Sequence, residues 1–579
     1  METDGAVSGG GERTVSRAEL AKTWAAWILL SLPLFAHPLF WVRVFLTLLV
    51  LWNHVMLITL PVLALAAVAV LLLAGFKDLL RKCAAYRLNL LLVAFAAVLL
   101  IQSLARSIYT GGRVEFEDWF LPLMPLAGMA LSREILRILP RWGTCVLGVL
   151  IVFTLRFPEY CIGLPGNWNW NLSLLAVLIP APFLLGRLSP KRFWIPVAAS
   201  AAFLAVFSLL KPKLAPYGVI VGVITASAAL WLLWKLPRRQ RLFITILGGG
   251  AGVAMFLAIW LGPADSANRD SRFWLWRGSV ELALRKGVFG VGAGKFEREI
   301  NSYLPKEYYF SEYAANLHTH PHNELLAAWC SYGVAGVVFI MLFMLAVVSG
   351  LRSYSSIRVW GVWLFLVLSV HGQVDVLLQT PLAGTLWLAV GGALAGDGGR
   401  SRTAHPAAGL AGAAATAALA GVVFFASWFY REALLSYAER DLYIAGKKAE
   451  KSLSLRETPG SRYLAGNVER QLRNPAAAIR HFEKLSPCYL HSHLYMGWAY
   501  ADMGDFKRAL SCLDRESQVF PMSALNACKK LEIMRNTGED DVALASQEAN
   551  LSYLLKIRRI SRDELLARHE LDDRPLRNP

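Results

Sequence analysis

The sequence predicts an all-α protein. A polytopic helical membrane domain of about 12–14 transmembrane helices is followed by a C-terminal α-helical repeat domain. Three observations carry that reading. Apolar runs of about 20 residues, the length needed to cross a hydrocarbon core, recur through roughly the first 430 positions. The chain of 579 residues is 56% hydrophobic, with a mean hydropathy of +0.44. Past residue 430 the apolar runs stop and charged residues become frequent.

Charge then orients the spans. The formal net charge is +18, from 59 Lys and Arg against 41 Asp and Glu. Its placement matters more than its sum. Residues 1–22 are polar and Gly-rich with no cleavable signal pattern, so they read as a cytoplasmic N-terminal tail. Spans are expected near 23–50, 54–76, 88–107, 119–132, 143–156, 171–186, 193–210, 215–234, 242–261, 324–349, 358–378, 379–396 and 407–429. The first is interrupted by His37-Pro38 and Arg43 and is compatible with two short helices. Lys77, Arg81, Lys82 and Arg87 share one turn, and Arg133, Arg137 and Arg141 lie in the next turn but one. Arg187, Lys191 and Arg192 continue the alternation, then Lys235, Arg238, Arg239 and Arg241, then Arg352 and Arg358, then Arg400 and Arg402. The positive-inside rule makes that side cytoplasmic, with the loop 262–322 and the tail 430–579 outside. Basic residues scattered among short turns do not make a nucleic-acid surface.

The outer loop holds the densest polar chemistry. Phe273, Trp276, Val280 and Leu284 fall at helical spacing, with Arg285 and Lys286 at the end of that helix. Gly287, Gly290, Gly292 and Gly294 follow as a turn. A nucleotide loop is disfavoured, because no strand precedes these glycines. Arg272 and Arg277 suit a diphosphate, since the guanidinium fork bonds two oxygens and keeps its charge. Interfacial anchoring beside Trp274 and Trp276 is the competing role.

His318, His320 and His322 sit at alternate positions before an apolar run. Asn323 suits an N-cap and Glu324 the first turn, so a helix is expected to start there. Alternate spacing does not match the i, i+4 histidine pair of a helical metal site, which disfavours a metal. Histidine can instead take a proton from a hydroxyl near neutral pH. Glu115-Phe-Glu-Asp118 could hold a divalent ion against a diphosphate, but a solvated turn is the preferred reading.

The seven cysteines show no metal spacing. Cys83, Cys145 and Cys330 read as small apolar residues, and one disulfide among Cys488, Cys512 and Cys528 is open. In the tail, Met496-Gly497, Tyr500, Gly504, Ala509, Leu513 and Pro521 follow tetratricopeptide spacing, with a shorter copy at Ala478, Phe482 and Pro487. Such repeats bind partners and carry no chemical constellation here, so a protein partner or acceptor docks there in this reading.

Four segments together resemble the O-antigen ligase and O-antigen polymerase superfamily of bacterial membrane glycosyltransferases. They are Gly163-Leu-Pro-Gly-Asn-Trp-Asn-Trp170; Ser271-Arg-Phe-Trp-Leu-Trp276 with its glycines; His320-Pro-His-Asn-Glu-Leu-Leu326; and His371-Gly-Gln-Val-Asp375. The resemblance implies transfer of a glycan from an undecaprenyl-diphosphate carrier to an acceptor hydroxyl on the outer face of the inner membrane. It implies neither cofactor nor metal. It puts the essential histidine on His322 and the outer-loop arginine on Arg272, with Arg277, Asn323 and His320 around the substrate. The family's second arginine has no counterpart in Leu210-Lys-Pro-Lys213, where Lys211 or Lys213 would supply charge without the fork. The acceptor can be lipid, as in lipopolysaccharide biosynthesis, a growing polysaccharide, or protein, and some protein O-oligosaccharyltransferases carry similar repeats. A transporter of lipid-linked glycan is the rival class; it predicts inverted repeats, and none is visible.

Overall fold

The structure is a computed structural model that describes residues 19–31, 64, 66–72, 79, 87–109, 117–156, 168–185, 194–210, 217–235, 271–292, 295–305, 308, 318, 320–349, 355–373, 375, 381–396, 422, 425–485, 489–558 and 561–565. The expected span at 242–261, most of those at 54–76 and 407–429, and the positions Lys211, Lys213 and Glu115 lie outside the described residues.

Among the described residues the chain is helical throughout, with no strand. Helix α1 (Arg87–Tyr109) is followed by α2 (Glu117–Ala130), α3 (Ser132–Arg156), α4 (Trp168–Leu178), the short turn Pro180–Leu185, α5 (Trp194–Leu210) and α6 (Tyr217–Lys235). Then come α7 (Ser271–Lys286), α8 (Glu324–Tyr332), α9 (Val334–Ser349) and α10 (Ser356–His371). Pro381–Thr385, Leu386–Val390 and Gly391–Ala395 stack as one column, α11, whose middle section is a π-turn. Among the described residues, one helix is long and apolar enough to cross a membrane: α1 over Arg87–Arg106, with mean hydropathy 2.3. Shorter apolar helices lie at Leu172–Leu185, Trp194–Val206, Val219–Trp231, Val334–Ser349, Ser356–His371 and Leu382–Ala395.

These helices share one apolar core, and small residues let them close on each other. A Cβ on Gly128 of α2 would lie 2.2 Å from the Ala389 carbonyl oxygen, and one on Gly392 would lie 2.1 Å from that of Pro125. Helices α2 and α11 therefore touch backbone to backbone, the small-residue crossing that membrane helices favour. Helix α10 runs through the middle. Its buried indoles find acceptors on two neighbours, which stops them being orphaned donors. Trp360 Nε1 donates to the Val177 carbonyl (2.9 Å) and Trp363 Nε1 to Ser227 Oγ (3.0 Å). Trp387 Nε1 of α11 donates back to Ser369 Oγ (2.7 Å).

The expected span at 324–349 is two helices. Gly333 breaks it at φ +67° and ψ −155°, a conformation that only glycine adopts readily. Helix α8 lies across the ends of two others. At its start, the Glu324 amide donates to the Gly372 carbonyl (2.8 Å) just past α10. At its end, Tyr332 O accepts from Gln102 Nε2 of α1 (3.2 Å).

The tail is an antiparallel helical stack. It follows a helix over 425–438 and comprises α12 (Leu442–Leu455), α13 (Pro459–Gln471), α14 (Pro475–Phe482), α15 (Ser492–Asp502), α16 (Phe506–Val519), α17 (Ala524–Thr537) and α18 (Asp541–Arg558). Asp441, Thr458, Asn474, Asp505 and Ser523 cap five of these starts through their side chains. Gly497 faces Leu513 and the Ala509 carbonyl, and Gly504 turns the chain at φ +77°. Cys512 and Cys528 are free and buried. The last helices do not stand apart from the rest. Phe520, Ala527, Leu531 and Leu551 share a core with Trp274, Leu275 and Val280 of α7 and with Leu326 of α8.

Candidate functional site

Asn323 is the N-cap of α8. Its side-chain oxygen accepts from the Leu326 amide (2.9 Å), and its Nδ2 donates to the Gln373 carbonyl (2.9 Å). The cap therefore also fastens the histidine loop to the turn after α10. The residue before it, His322, has φ +53°, the left-handed region that non-glycine residues seldom occupy. Strain of this kind persists where the surroundings impose it, and it turns the His322 side chain toward α10.

There His322 meets a carboxylate. Its Nδ1 lies 3.4 Å from Asp375 Oδ1, and that Asp375 side chain is only 3% exposed. The other oxygen of Asp375 lies 3.9 Å from His371 Nε2. His371 in turn shares a 2.6 Å hydrogen bond between its Nδ1 and Ser173 Oγ of α4. Arg272, in the first turn of α7, is close enough to His371 for their charges to interact. The start of α8 and the end of α10 meet here through the Glu324 amide and the Gly372 carbonyl.

The neighbouring histidines are packed rather than free. The rings of His320 and His322 meet edge to face with centroids 4.3 Å apart. His318 is hydrogen-bonded through Nε2 to the buried Tyr308 hydroxyl. Burial, with the charge of His322 adding to it, pushes His318 down to about 4 and His320 down to about 3, so both are neutral at physiological pH.

The sequence-predicted residues separate on this geometry. His322, Asn323 and His320 come together, and Arg272 is within electrostatic reach of His371, which adjoins the same carboxylate. Arg277 is exposed on α7. Lys211 and Lys213 lie outside the described residues. The acidic group is not a solvated turn at Asp118, which is 2% exposed, accepts from Ser103 Oγ (2.9 Å) and lies 3.7 Å from Arg106 Nη1. Sequence reading noted His371-Gly-Gln-Val-Asp375 as a motif but gave it no role. The missed signal is an acid four residues after a histidine at the end of an apolar helix, where a buried charge needs a partner.

No family model, curated protein or solved structure matches the chain.

Proposed function

We propose that the chain is a polytopic bacterial inner-membrane glycosyltransferase resembling the O-antigen ligases. In this reading it moves a glycan from an undecaprenyl-diphosphate carrier to an acceptor hydroxyl, on the extracytoplasmic side where the repeats also lie. Support for the membrane comes from the outside of the helical body. Ile101 and Leu104 of α1, Ile195 and Val206 of α5, and Ile224 and Trp231 of α6 are all exposed. Large apolar side chains spread over several helices are what lipid, and not water, would cover.

One observation carries the chemistry: His322 lies beside the buried Asp375, which also adjoins His371, the histidine whose charge Arg272 feels. In this reading the negative charge of Asp375, 3.4 Å away, favours a proton on Nδ1 and leaves Nε2 to accept one. Nε2 takes the proton of the acceptor hydroxyl as its oxygen attacks the anomeric carbon of the glycan. The bond from that carbon to the phosphate oxygen breaks, and the carrier diphosphate leaves with the electron pair. Arg272 pairs the charge that develops on it. His320 packs against His322 and Asn323 holds the loop, so both act as positioning residues.

The test uses the purified protein in lipid, a lipid-diphosphate glycan and an acceptor. His322→Ala should lower transfer by about 10²–10⁴-fold, the contribution typical of a general base. Asp375→Asn should lower it too, and Arg272→Lys should weaken it by losing the fork while keeping the charge. Chelator should leave transfer unchanged. Full activity of His322→Ala, or chelator inhibition reversed by a divalent ion, would defeat the proposal.

A further inference from the structure

The turn between α7 and the rest of the outer loop presents two adjacent large apolar residues. Val288 is 60% and Phe289 67% exposed, and Leu284 in the last turn of α7 is 53% exposed. Isolated exposed apolar residues need no explanation, but three together at one tip do.

The tip is pinned to a specific place. The Phe289 carbonyl accepts from Arg106 Nη2 (2.6 Å) and from Gln102 Nε2. Both donors belong to the last turns of α1, the helix best suited to span a membrane. Ile101 and Leu104, at that same end of α1, are 66% and 46% exposed. The tip therefore continues the apolar surface of a spanning helix at the level where that helix ends.

It is also held rigidly. The Val291 amide donates to the Cys330 carbonyl (2.7 Å) and the Gly292 amide to the Ser331 carbonyl (2.9 Å). Gly290 and Gly333 allow the two backbones to interlock, since a Cβ on either would lie within 2.5 Å of a carbonyl oxygen of the other segment. A turn meant only to connect two helices in water does not need such fixing.

We infer that Val288 and Phe289 are an interfacial anchor seated in the outer leaflet, with lipid acyl chains as their partner. The inference rests on the membrane reading above. The adjacent cations do not favour anionic headgroups over apolar burial. Arg285 is already paired with Glu281 (2.8 Å), and Lys286 with Glu299 (3.1 Å). The anchor should thus be indifferent to lipid charge. Its consequence is to fix α7, and with it Arg272, against the surface by which a lipid-linked substrate arrives.

The test is photocrosslinking in the full-length protein, reconstituted in vesicles of phosphatidylcholine with or without phosphatidylglycerol. Phe289→benzoylphenylalanine exchanges one exposed aromatic for another and should not disturb folding. Ile101→benzoylphenylalanine is the lipid-facing control, and Met503→benzoylphenylalanine, on an exposed turn of the tail, is the aqueous one. Phospholipid adducts are expected at 101 and 289, in both vesicle types, and not at 503. Adducts at 101 without any at 289 would overturn the anchor and leave the membrane reading standing. Crosslinks from 289 to a second copy of the chain would overturn it in favour of a protein contact. No lipid adduct at 101 would remove the membrane reading and the anchor together.

Discussion

Gly333→Ala is the sharpest structural test of how the outer loop is assembled. The residue has φ +67° and ψ −155° between α8 and α9. Forcing a side chain into that conformation costs about 1–3 kcal/mol of backbone strain. The added Cβ would also lie 1.8 Å from the Val288 carbonyl oxygen and 2.7 Å from the Phe289 amide nitrogen. Those are backbone atoms, so no side chain can rotate away. The turn must move, at an overpacking cost of about 1–3 kcal/mol. Together the penalty is about 2–6 kcal/mol.

Gly287→Ala supplies the control. Gly287 has φ +64°, yet nothing lies within 4 Å of its Cβ position. It should cost only the left-handed backbone term, about 1–2 kcal/mol. The assay is amide exchange across 287–292 and 324–332 with the protein in lipid, alongside thermal unfolding. Gly333→Ala should raise exchange in both segments and lower the proposed glycan transfer, because α7 and α8 lose their register. Gly287→Ala should raise exchange locally and leave α8 protected. Equal behaviour of the two variants would refute the interlock.

Asp118→Asn leaves Arg106 without its buried counter-charge and should destabilise the protein by about 3 kcal/mol, measured by thermal unfolding; an unchanged Tm would show the pair to be solvated. Acidification should loosen the histidine loop: His320 sits near 3 and His318 near 4 when folded, against about 6.5 unfolded, so the unfolded chain binds more protons between those values and stability falls as pH drops through that window. Protection around residues 318–323, referred to the slower intrinsic exchange at lower pH, should fall from pH 7 to pH 5, and His320→Gln should blunt the fall. Leu531→Ala in α17 should cost about 2–5 kcal/mol as a buried cavity and raise exchange in α7 as well as in the tail, and protection of α7 unaltered from wild type would separate the two.

Much of this layout was legible because the signals were local. Asn323 before Glu324 and an apolar run announces a capped helix, and the structure has that cap. The spacing of Phe273, Trp276, Val280 and Leu284 matches the observed α7, and Gly497 and Gly504 sit where a helical hairpin needs a crossing and a turn. Other features depended on partners far along the chain. The kink at Gly333 is invisible in hydropathy, since both flanking segments are apolar; it exists because the Val288 backbone occupies the space. Asp118 looked like one of several acids in a polar loop, and only the fold brings Arg106 to it.

The tail shows the same division. Its internal hairpins could be read from repeat spacing, because each packs on its neighbour in sequence. Its attachment could not, because Phe520, Leu531 and Leu551 look like ordinary core residues of a helical stack. In the structure they share one apolar core with α7 and α8, and Cys330 Sγ of α8 donates to the Ser279 carbonyl of α7. Arg272 and His322 therefore begin two helices whose mutual packing is completed by residues more than 190 positions later in the chain. The C-terminal helices thus sit directly against the helix that carries Arg272.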